Sequence, residues 1–164
     1  YSKSQGSSRW HCEANSRLYT LHPVEQDHKS CITRLFVSKI PISTKNAPTA
    51  VGAYTQAIRS GNLVFVSGQL ALNPKTGIMS GKDIAEQTDQ VLRNLDAVVC
   101  AAGATLPDVV KTTVYLADIN DFATMNGIYE KYFPDPAPAR AAVEVSRLPK
   151  DALIEIDAIL VIPS

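Results

Sequence analysis

Residues 138–161 read PARAAVEVSRLPKDALIEIDAILV, and this stretch decides the fold. Within residues 139–146, small or apolar side chains alternate with a second series that includes Arg140. A period of two is typical of a half-buried strand, and it directs Arg140 away from the core. Residues 154–161 repeat the pattern, with isoleucines and other apolar side chains on one face and Glu155 on the other.

The six residues between these segments, 147–152, include Pro149 and Asp151. Both residue types favour turns, so the stretch predicts a hairpin whose two strands pair antiparallel. Arg140 and Glu155 would then lie opposite one another or up to about four residues apart, which is about 13 Å along a strand. The sequence leaves this register open.

The chain has 164 residues, enough for one domain with a hydrophobic core. No apolar run approaches the length of about 18 residues that a membrane span needs, so no membrane partner is expected. Residues 1–39 carry six basic against three acidic side chains, whereas residues 40–164 carry ten against thirteen. Because nucleic-acid binding depends on clustered Lys and Arg, this acidic excess favours a small-molecule partner.

All three histidines and two of the three cysteines lie in residues 1–39. Residues 40–164 therefore cannot supply a Ser-His-Asp triad, a Cys-His pair or a His-based zinc site, and we expect no metal and no cofactor. The cysteines show no paired spacing, which indicates a reducing compartment such as the cytoplasm.

Residues 1–39 lack periodicity and are expected to form a flexible, targeting or tag-derived extension before a domain over 40–164. Their Arg- and Ser-rich composition leaves mitochondrial or plastid targeting open, although three acidic residues weaken that interpretation. Five residues of types that bind metal lie here: His11, Cys12, His22, His28 and Cys31. Their irregular spacing favours a tail without metal.

Local signals predict five further elements. They are strands over 54–58 and 63–67, a helix from a capping box at Asp83 and Glu86 to Gly103, a strand over 109–116, and a helix that Asp121 caps and Pro134 ends. With the strands of 138–161, they predict an α+β fold with a mixed sheet and both helices on one face. The other face would expose Ile159 and Val161 beside Arg140 and Glu155, and self-association is the simplest way to cover it.

Several short motifs occur in order along residues 40–164. They are NAP at 46–48, GAY at 52–54, NLVFVSGQ at 62–69, KTTV at 111–114, NDF at 120–122, PAR at 138–140, LPK at 148–150 and IEI at 154–156. In this arrangement the chain resembles the Rid family of reactive-intermediate deaminases, also called YjgF or RidA-like proteins. It departs at Ala53, where the family commonly has proline, and at Ala142, where many members have a cysteine that is missing here.

The resemblance implies a chorismate-mutase-like fold assembled as a homotrimer, with a site in each cleft between subunits. It also implies hydrolysis of 2-imino acids, such as 2-iminobutanoate and 2-iminopropanoate, to 2-keto acids and ammonia. A protonated imine is already a good electrophile, so a bound water can attack it without a metal or cofactor. Endoribonuclease or translation-inhibitor activity and ligand sensing stay open as alternatives on the same fold.

By the same resemblance, Arg140 binds the substrate carboxylate, and Glu155 activates the attacking water or moves protons during enamine to imine tautomerisation. The other pocket residues that the resemblance implies are Tyr54, Ser67, Gly68 and Asn126. Structural interpretations compete with these roles. They are an ion pair of Arg140 with Glu144 or Asp157, a solvated Glu155, turn or capping roles for Ser67 and Asn126, and Asp157 as a weaker candidate for the role of Glu155.

Overall fold

The computed structural model describes residues 38–162, which form a six-stranded mixed sheet and two α-helices. The strands are β1 (Ile40–Ile42), β2 (Ala57–Ser60), β3 (Leu63–Leu70), β4 (Val109–Leu116), β5 (Ala139–Glu144) and β6 (Ile154–Val161), and the helices are α1 (Ile84–Ala101) and α2 (Phe122–Tyr132). The predicted α+β fold is confirmed. The predictions for residues 1–37, including the five metal-binding residue types, lie outside the described residues.

The strand order is β1-β2-β3-β6-β4-β5, with β4 and β5 parallel and every other neighbouring pair antiparallel. The predicted hairpin of β5 with β6 is wrong, because β4 lies between them. Ile154, Ile156 and Leu160 of β6 are completely buried, and so apolar a strand favours the centre of a sheet. β5 carries Arg140 and Glu144 and takes the edge, where charged side chains are tolerated.

Both helices cover one face of the sheet, here called the helix face. Asp83 begins α1 as predicted, since its side chain accepts a hydrogen bond from the Glu86 amide at 2.9 Å. The Glu86 carboxylate accepts from the Lys82 amide, so the capping box is incomplete. α1 packs on β3 and β6, and α2 lies over β4, where the Tyr129 and Thr112 hydroxyls are 2.7 Å apart.

Asp121 does not cap α2 with its side chain, contrary to the prediction. A 3-10 turn over Ile119–Asp121 leads directly into the helix. The capping role therefore moves to Asp118, whose carboxylate accepts a hydrogen bond from the Asn120 amide at 2.9 Å. In the described part of the chain, neither helix has the length and apolar character needed to cross a membrane.

The opposite side of the sheet, here called the open face, carries neither α1 nor α2. The strand registers place on it side chains that include Leu63, Phe65, Tyr115, Val143, Glu155, Asp157, Ile159 and Val161. Phe65 and Val143 are 45% and 44% exposed. Ile159 and Val161 lie on this face without helices, as predicted, although both are partly buried. An apolar face of this kind is typical of an association surface.

Candidate active site

A cleft of about 600 Å³ opens where β3 meets β6. It is lined by four of the predicted site residues: Tyr54, Ser67, Gly68 and Glu155. Val51, Pro149 and Lys150 contribute to its walls. Residues from separate segments of the chain thus meet at one place, as the resemblance implies.

A β-bulge shapes one wall of this cleft. The register of β3 against β6 shifts by one residue between Val66 and Gln69, which places Ser67 and Gly68 in the bulge. The Ser67 hydroxyl donates a hydrogen bond to the Thr55 carbonyl at 2.7 Å. Its hydroxyl therefore holds the bulge in place, which is the turn-type role that the sequence left open, and the bulge itself aims the backbone of β3 at the cleft.

Gly68 allows Glu155 to lie directly against the backbone of the bulge. A β-carbon at position 68 would come within 1.8 Å of Glu155 Oε1, far inside van der Waals contact. Glycine is needed here for this close approach. Within residues 38–162, neither a salt bridge nor a hydrogen bond engages the half-buried carboxylate of Glu155.

Burial raises the pKa of the Glu155 carboxyl above its ordinary value, and the neighbouring Asp157 carboxylate raises it further. Asp157 itself accepts a hydrogen bond from the Tyr115 hydroxyl at 2.9 Å. A carboxyl group whose pKa moves toward neutrality is suited to both give and take a proton near neutral pH. Of the two acids, Glu155 is therefore the one available to a substrate.

Replacing Gly68 with alanine is expected to lower by about 10- to 100-fold the kcat of a reaction in which Glu155 transfers a proton, because the new β-carbon displaces the Glu155 carboxylate by an ångström or more. Gly127→Ala is the matched control, since a β-carbon there meets no atom within 4 Å and alanine favours the interior of α2. The measurement is kcat together with the Tm of both variants. Equal kcat values in folded Gly68→Ala and Gly127→Ala would contradict this role of Gly68.

Gln56 is a residue of the site that the sequence analysis missed. Its side chain is 3% exposed, accepts a hydrogen bond from the Thr44 amide at 2.6 Å and donates one to the Pro48 carbonyl at 2.7 Å. These bonds fix the loop before Tyr54 against the cleft. The strand predicted over 54–58 in fact begins only at Ala57, and a single glutamine in that segment gives no periodic signal of its role.

Arg140 lies on the helix face, outside the cleft. Its guanidinium donates a hydrogen bond to Asn126 Oδ1 at 2.7 Å and stacks on two rings of α2, with its carbon 4.5 Å from the Tyr129 centroid and 5.4 Å from that of Phe122. Asn126 in turn donates to Glu130. In the described residues no acidic side chain forms a salt bridge with Arg140. Asn126 and the rings orient the guanidinium and leave its charge unpaired.

The alternative ion pair of Arg140 with Glu144 or Asp157 is wrong. Glu144 accepts a hydrogen bond from the Ile119 amide at 2.9 Å, and Asp157 is bonded to Tyr115. The contact of Asn126 with Arg140 also differs from the turn or capping role left open for it, since Asn126 lies within α2 with its side chain directed at the guanidinium.

The predicted site residues form two groups on opposite faces of the sheet. Arg140 aligns with Thr112, whose side chain is buried on the helix face, whereas Glu155 aligns with Tyr115 on the open face. The prediction that both lie on one face is therefore wrong, and β4 also separates their strands. We call Arg140 and Asn126 the arginine half, and Tyr54, Ser67, Gly68 and Glu155 the glutamate half.

Comparison with known proteins identifies the family. The family model described as Endoribonuclease L-PSP matches residues 44–162. The chain belongs to this family, the Rid or YjgF family. The Escherichia coli (strain K12) member named 2-iminobutanoate/2-iminopropanoate deaminase is 51% identical over 123 residues, which cover 73% of this chain and 95% of that protein.

Two further members of the Rid family complete the comparison. Reactive Intermediate Deaminase A, chloroplastic, of Arabidopsis thaliana is 50% identical over 123 residues, covering 75% of this chain and 66% of that protein. The crystal structure of E. coli TdcF with bound serine superposes with a TM-score of 0.73 at 43% identity, covering 76% of this chain and all of that chain. Fold and sequence thus point to the same family.

The two departures of this Rid-family chain lie in different parts of the fold. Ala142 lies on β5 with the same orientation as Arg140 and packs against the core. Ala53 lies in the exposed loop before Tyr54. The one cysteine in residues 38–162 is Cys100 on α1, so a thiol belongs to neither half of the candidate site.

Proposed function

We propose that this Rid-family protein hydrolyses 2-imino acids, such as 2-iminobutanoate and 2-iminopropanoate, to 2-keto acids and ammonia without a cofactor. Its task would be to remove reactive enamine and imine intermediates of amino-acid dehydration. The observation that carries the proposal is a guanidinium that has no carboxylate partner within residues 38–162, and a carboxylate that has no hydrogen-bond donor within them, oriented by separate sets of residues. A small substrate that carries a carboxylate and a protonated imine would supply a partner to each.

A homotrimer of chorismate-mutase-like subunits is part of this proposal, with a site in each cleft between neighbours. Within one subunit the sheet separates the arginine half from the glutamate half, so one subunit cannot apply both to one small substrate. The arginine half lies on the edge strand β5 and the glutamate half on the apolar open face. Placing the edge of one copy on the open face of the next would join the halves and bury Phe65 and Val143, and such a head-to-tail contact closes into a ring.

The chemistry follows from these groups. Arg140 would hold the substrate carboxylate through two parallel charge-assisted hydrogen bonds. Water adds its oxygen to the protonated imine carbon while Glu155 takes a proton from that water. The nitrogen of the resulting carbinolamine takes up a proton and leaves as ammonia, and the hydroxyl loses its proton to become the keto oxygen. The zwitterionic substrate, with its carboxylate and its protonated imine, and one water thus yield the keto-acid anion and an ammonium ion.

The relatives support a ligand of this size and charge. The E. coli and Arabidopsis relatives are named as deaminases, and the TdcF structure holds serine, which carries a carboxylate and an amine on one carbon. A direct assay generates 2-iminobutanoate with a threonine dehydratase and traps the remaining imine with semicarbazide. Faster loss of the imine in the presence of this protein is expected, and an unchanged rate would overturn the proposed function.

Mixed trimers of Arg140→Ala and Glu155→Gln subunits are expected to regain activity that neither variant has alone. In every mixed trimer, whichever variant supplies two of the subunits, about one of the three sites between subunits would combine an intact Arg140 with an intact Glu155. The measurement is the specific activity of trimers that carry two different affinity tags, after co-expression. Recovery to about a third of the wild-type value is expected, whereas no recovery in purified mixed trimers would place both residues in one subunit's site.

Endoribonuclease activity is the second candidate, because the matching family model carries that description. The acidic excess of residues 40–164 is unfavourable for a polyanion. An RNA-cleaving protein would show a steep fall in activity with salt, whereas hydrolysis of a small imino acid would not. Parallel assays at two salt concentrations therefore separate the two functions, and a pure ligand sensor would bind the keto acid with neither activity.

The proposed location is a reducing compartment, either the cytoplasm or, with organellar targeting, a mitochondrion or plastid. Cys100 is a free thiol, which suits such a compartment. The Arabidopsis relative is chloroplastic. Microscopy of the tagged full-length chain would test the location.

A further inference from the structure

Asp157 and Tyr115 form a hydrogen-bonded pair beside Glu155 on the open face. Tyr115 aligns directly with Glu155 across the β4–β6 register, and Asp157 lies two residues along β6 on the same face, about 7 Å away at strand rise. The Tyr115 hydroxyl donates to Asp157 Oδ2 at 2.9 Å. This bond fixes one carboxylate close to another, an arrangement that disfavours ionisation of the one that lacks a donor.

We propose that Asp157, held by Tyr115, is a positioning residue that acts on the reaction through Glu155. The proposal rests on the proposed function for its effect on turnover. Imine hydrolysis needs one group that takes a proton from water and later returns a proton to the leaving nitrogen, and such a group works best when its two protonation states are close in energy at the working pH. The negative charge of Asp157 brings those states closer for Glu155.

Few other charges face Glu155. From β3, the neighbours Gly68, Gln69 and Leu70 carry no titratable group, and burial against them acts in the same direction as Asp157. From β4, Tyr115 is bonded to Asp157, and the amine of Lys111 donates to the Thr112 carbonyl at 3.0 Å.

Around the cleft, Lys150 contributes to the wall from a 3-10 turn over Pro149–Asp151, and Tyr54 does so from its loop. In the assembled site, Arg140 of the neighbouring subunit would be a further positive charge. All of these groups are the same in Asp157→Asn, so that variant isolates the contribution of Asp157.

The test is a direct titration of Glu155 that does not depend on turnover. Protein labelled with ¹³C in the glutamate carboxyl groups is titrated by NMR, and Glu155→Gln assigns the Glu155 signal. Asp157→Asn is expected to move the midpoint of that titration to lower pH by about half to one and a half pH units, because a like charge about 7 Å away has been removed. Asp96→Asn, on α1, is the matched control and should leave it unchanged. An unchanged or raised midpoint in Asp157→Asn would overturn the proposal.

Tyr115→Phe tests whether Tyr115 acts by holding Asp157. Loss of the hydroxyl frees the Asp157 carboxylate. The Glu155 midpoint is therefore expected to change by less in Tyr115→Phe than in Asp157→Asn. Adding Tyr115→Phe to Asp157→Asn should change it no further. A change that persists in the double variant, or no change in the single variant, would overturn the role given to Tyr115.

The pH dependence of kcat/KM for 2-iminobutanoate then connects the titration to the reaction. The limb governed by Glu155 should move to lower pH in Asp157→Asn by the same amount as the NMR midpoint. A shifted NMR midpoint in a protein that hydrolyses no imino acid would remove the proposed function and leave the Asp157–Glu155 coupling intact. Activity with a limb that does not follow the midpoint would leave the function and remove the role of Asp157 in it.

Discussion

Glu155→Gln is expected to lower kcat for 2-iminobutanoate hydrolysis by about 10²- to 10⁴-fold, the range found when a general acid–base is removed. Glutamine keeps the size of the side chain beside Gly68 but cannot take a proton from water. The Glu155 carboxylate has no hydrogen-bond or salt-bridge partner within residues 38–162, so the substitution breaks no contact of the fold. The rate loss should therefore appear in a protein with an unchanged Tm.

The affinity for a keto-acid product distinguishes a loss of proton transfer from a general loss of the site. Because Arg140 is intact in Glu155→Gln, the Kd for a keto-acid product, measured by calorimetry, should stay close to that of the wild type. Glu144→Gln is the matched control, since Glu144 lies on β5 and accepts a hydrogen bond from the Ile119 amide. A wild-type kcat in Glu155→Gln would remove Glu155 from the proton transfers.

Local signals in the sequence predicted the elements that depend on local interactions. The acceptor side chain of Asp83 and the left-handed Gly103 bound α1 where the sequence placed it, and the Val, Thr and Tyr residues over 109–116 predicted β4. The strand order could not be predicted in this way, because it depends on which strands are apolar enough for the centre. The isoleucines of β6 indicated that the strand is buried on the helix face. That burial favours a central strand more strongly than the turn at Pro149 favours a hairpin.

The sequence could not predict the side of the sheet on which Arg140 lies, and the reason is a different one. β5 has alanines at positions 139, 141 and 142, so small residues occupy both of its faces and period two distinguishes them poorly. The decision comes from α2, where Tyr129 and Asn126 offer a ring and an amide to the guanidinium. Such a contact joins two elements that are separate in sequence. The set of site residues that the resemblance implies stays a prediction, and the structure places four of them in one cleft and the other two in contact with each other.

Arg140→Lys is expected to raise KM for 2-iminobutanoate and to lower kcat/KM by about 10²- to 10³-fold, with Arg140→Ala at least as impaired. Losing a charge-assisted pair that is shielded from solvent costs about 3 to 4 kcal/mol, which corresponds to that factor. An ammonium keeps the charge but cannot form two parallel bonds to one carboxylate. It also lacks the planar surface with which the guanidinium stacks on Tyr129 while it donates a hydrogen bond from its edge to Asn126.

The matched control for Arg140 is Arg93→Lys, because Arg93 forms an exposed salt bridge with Asp89 on α1 and lies in neither half of the site. Its kinetic constants should equal those of the wild type. Arg140→Lys and Glu155→Gln should also differ in kind, since the first weakens keto-acid binding and the second leaves it unchanged. If Arg140→Ala bound the keto acid as tightly as the wild type, the anion would be held elsewhere and the arginine half would have no part in the site. If hydrolysis were lost in both Arg140→Ala and Glu155→Gln but recovered in their mixed trimers, one residue from each of two neighbouring subunits would hold and convert a single substrate.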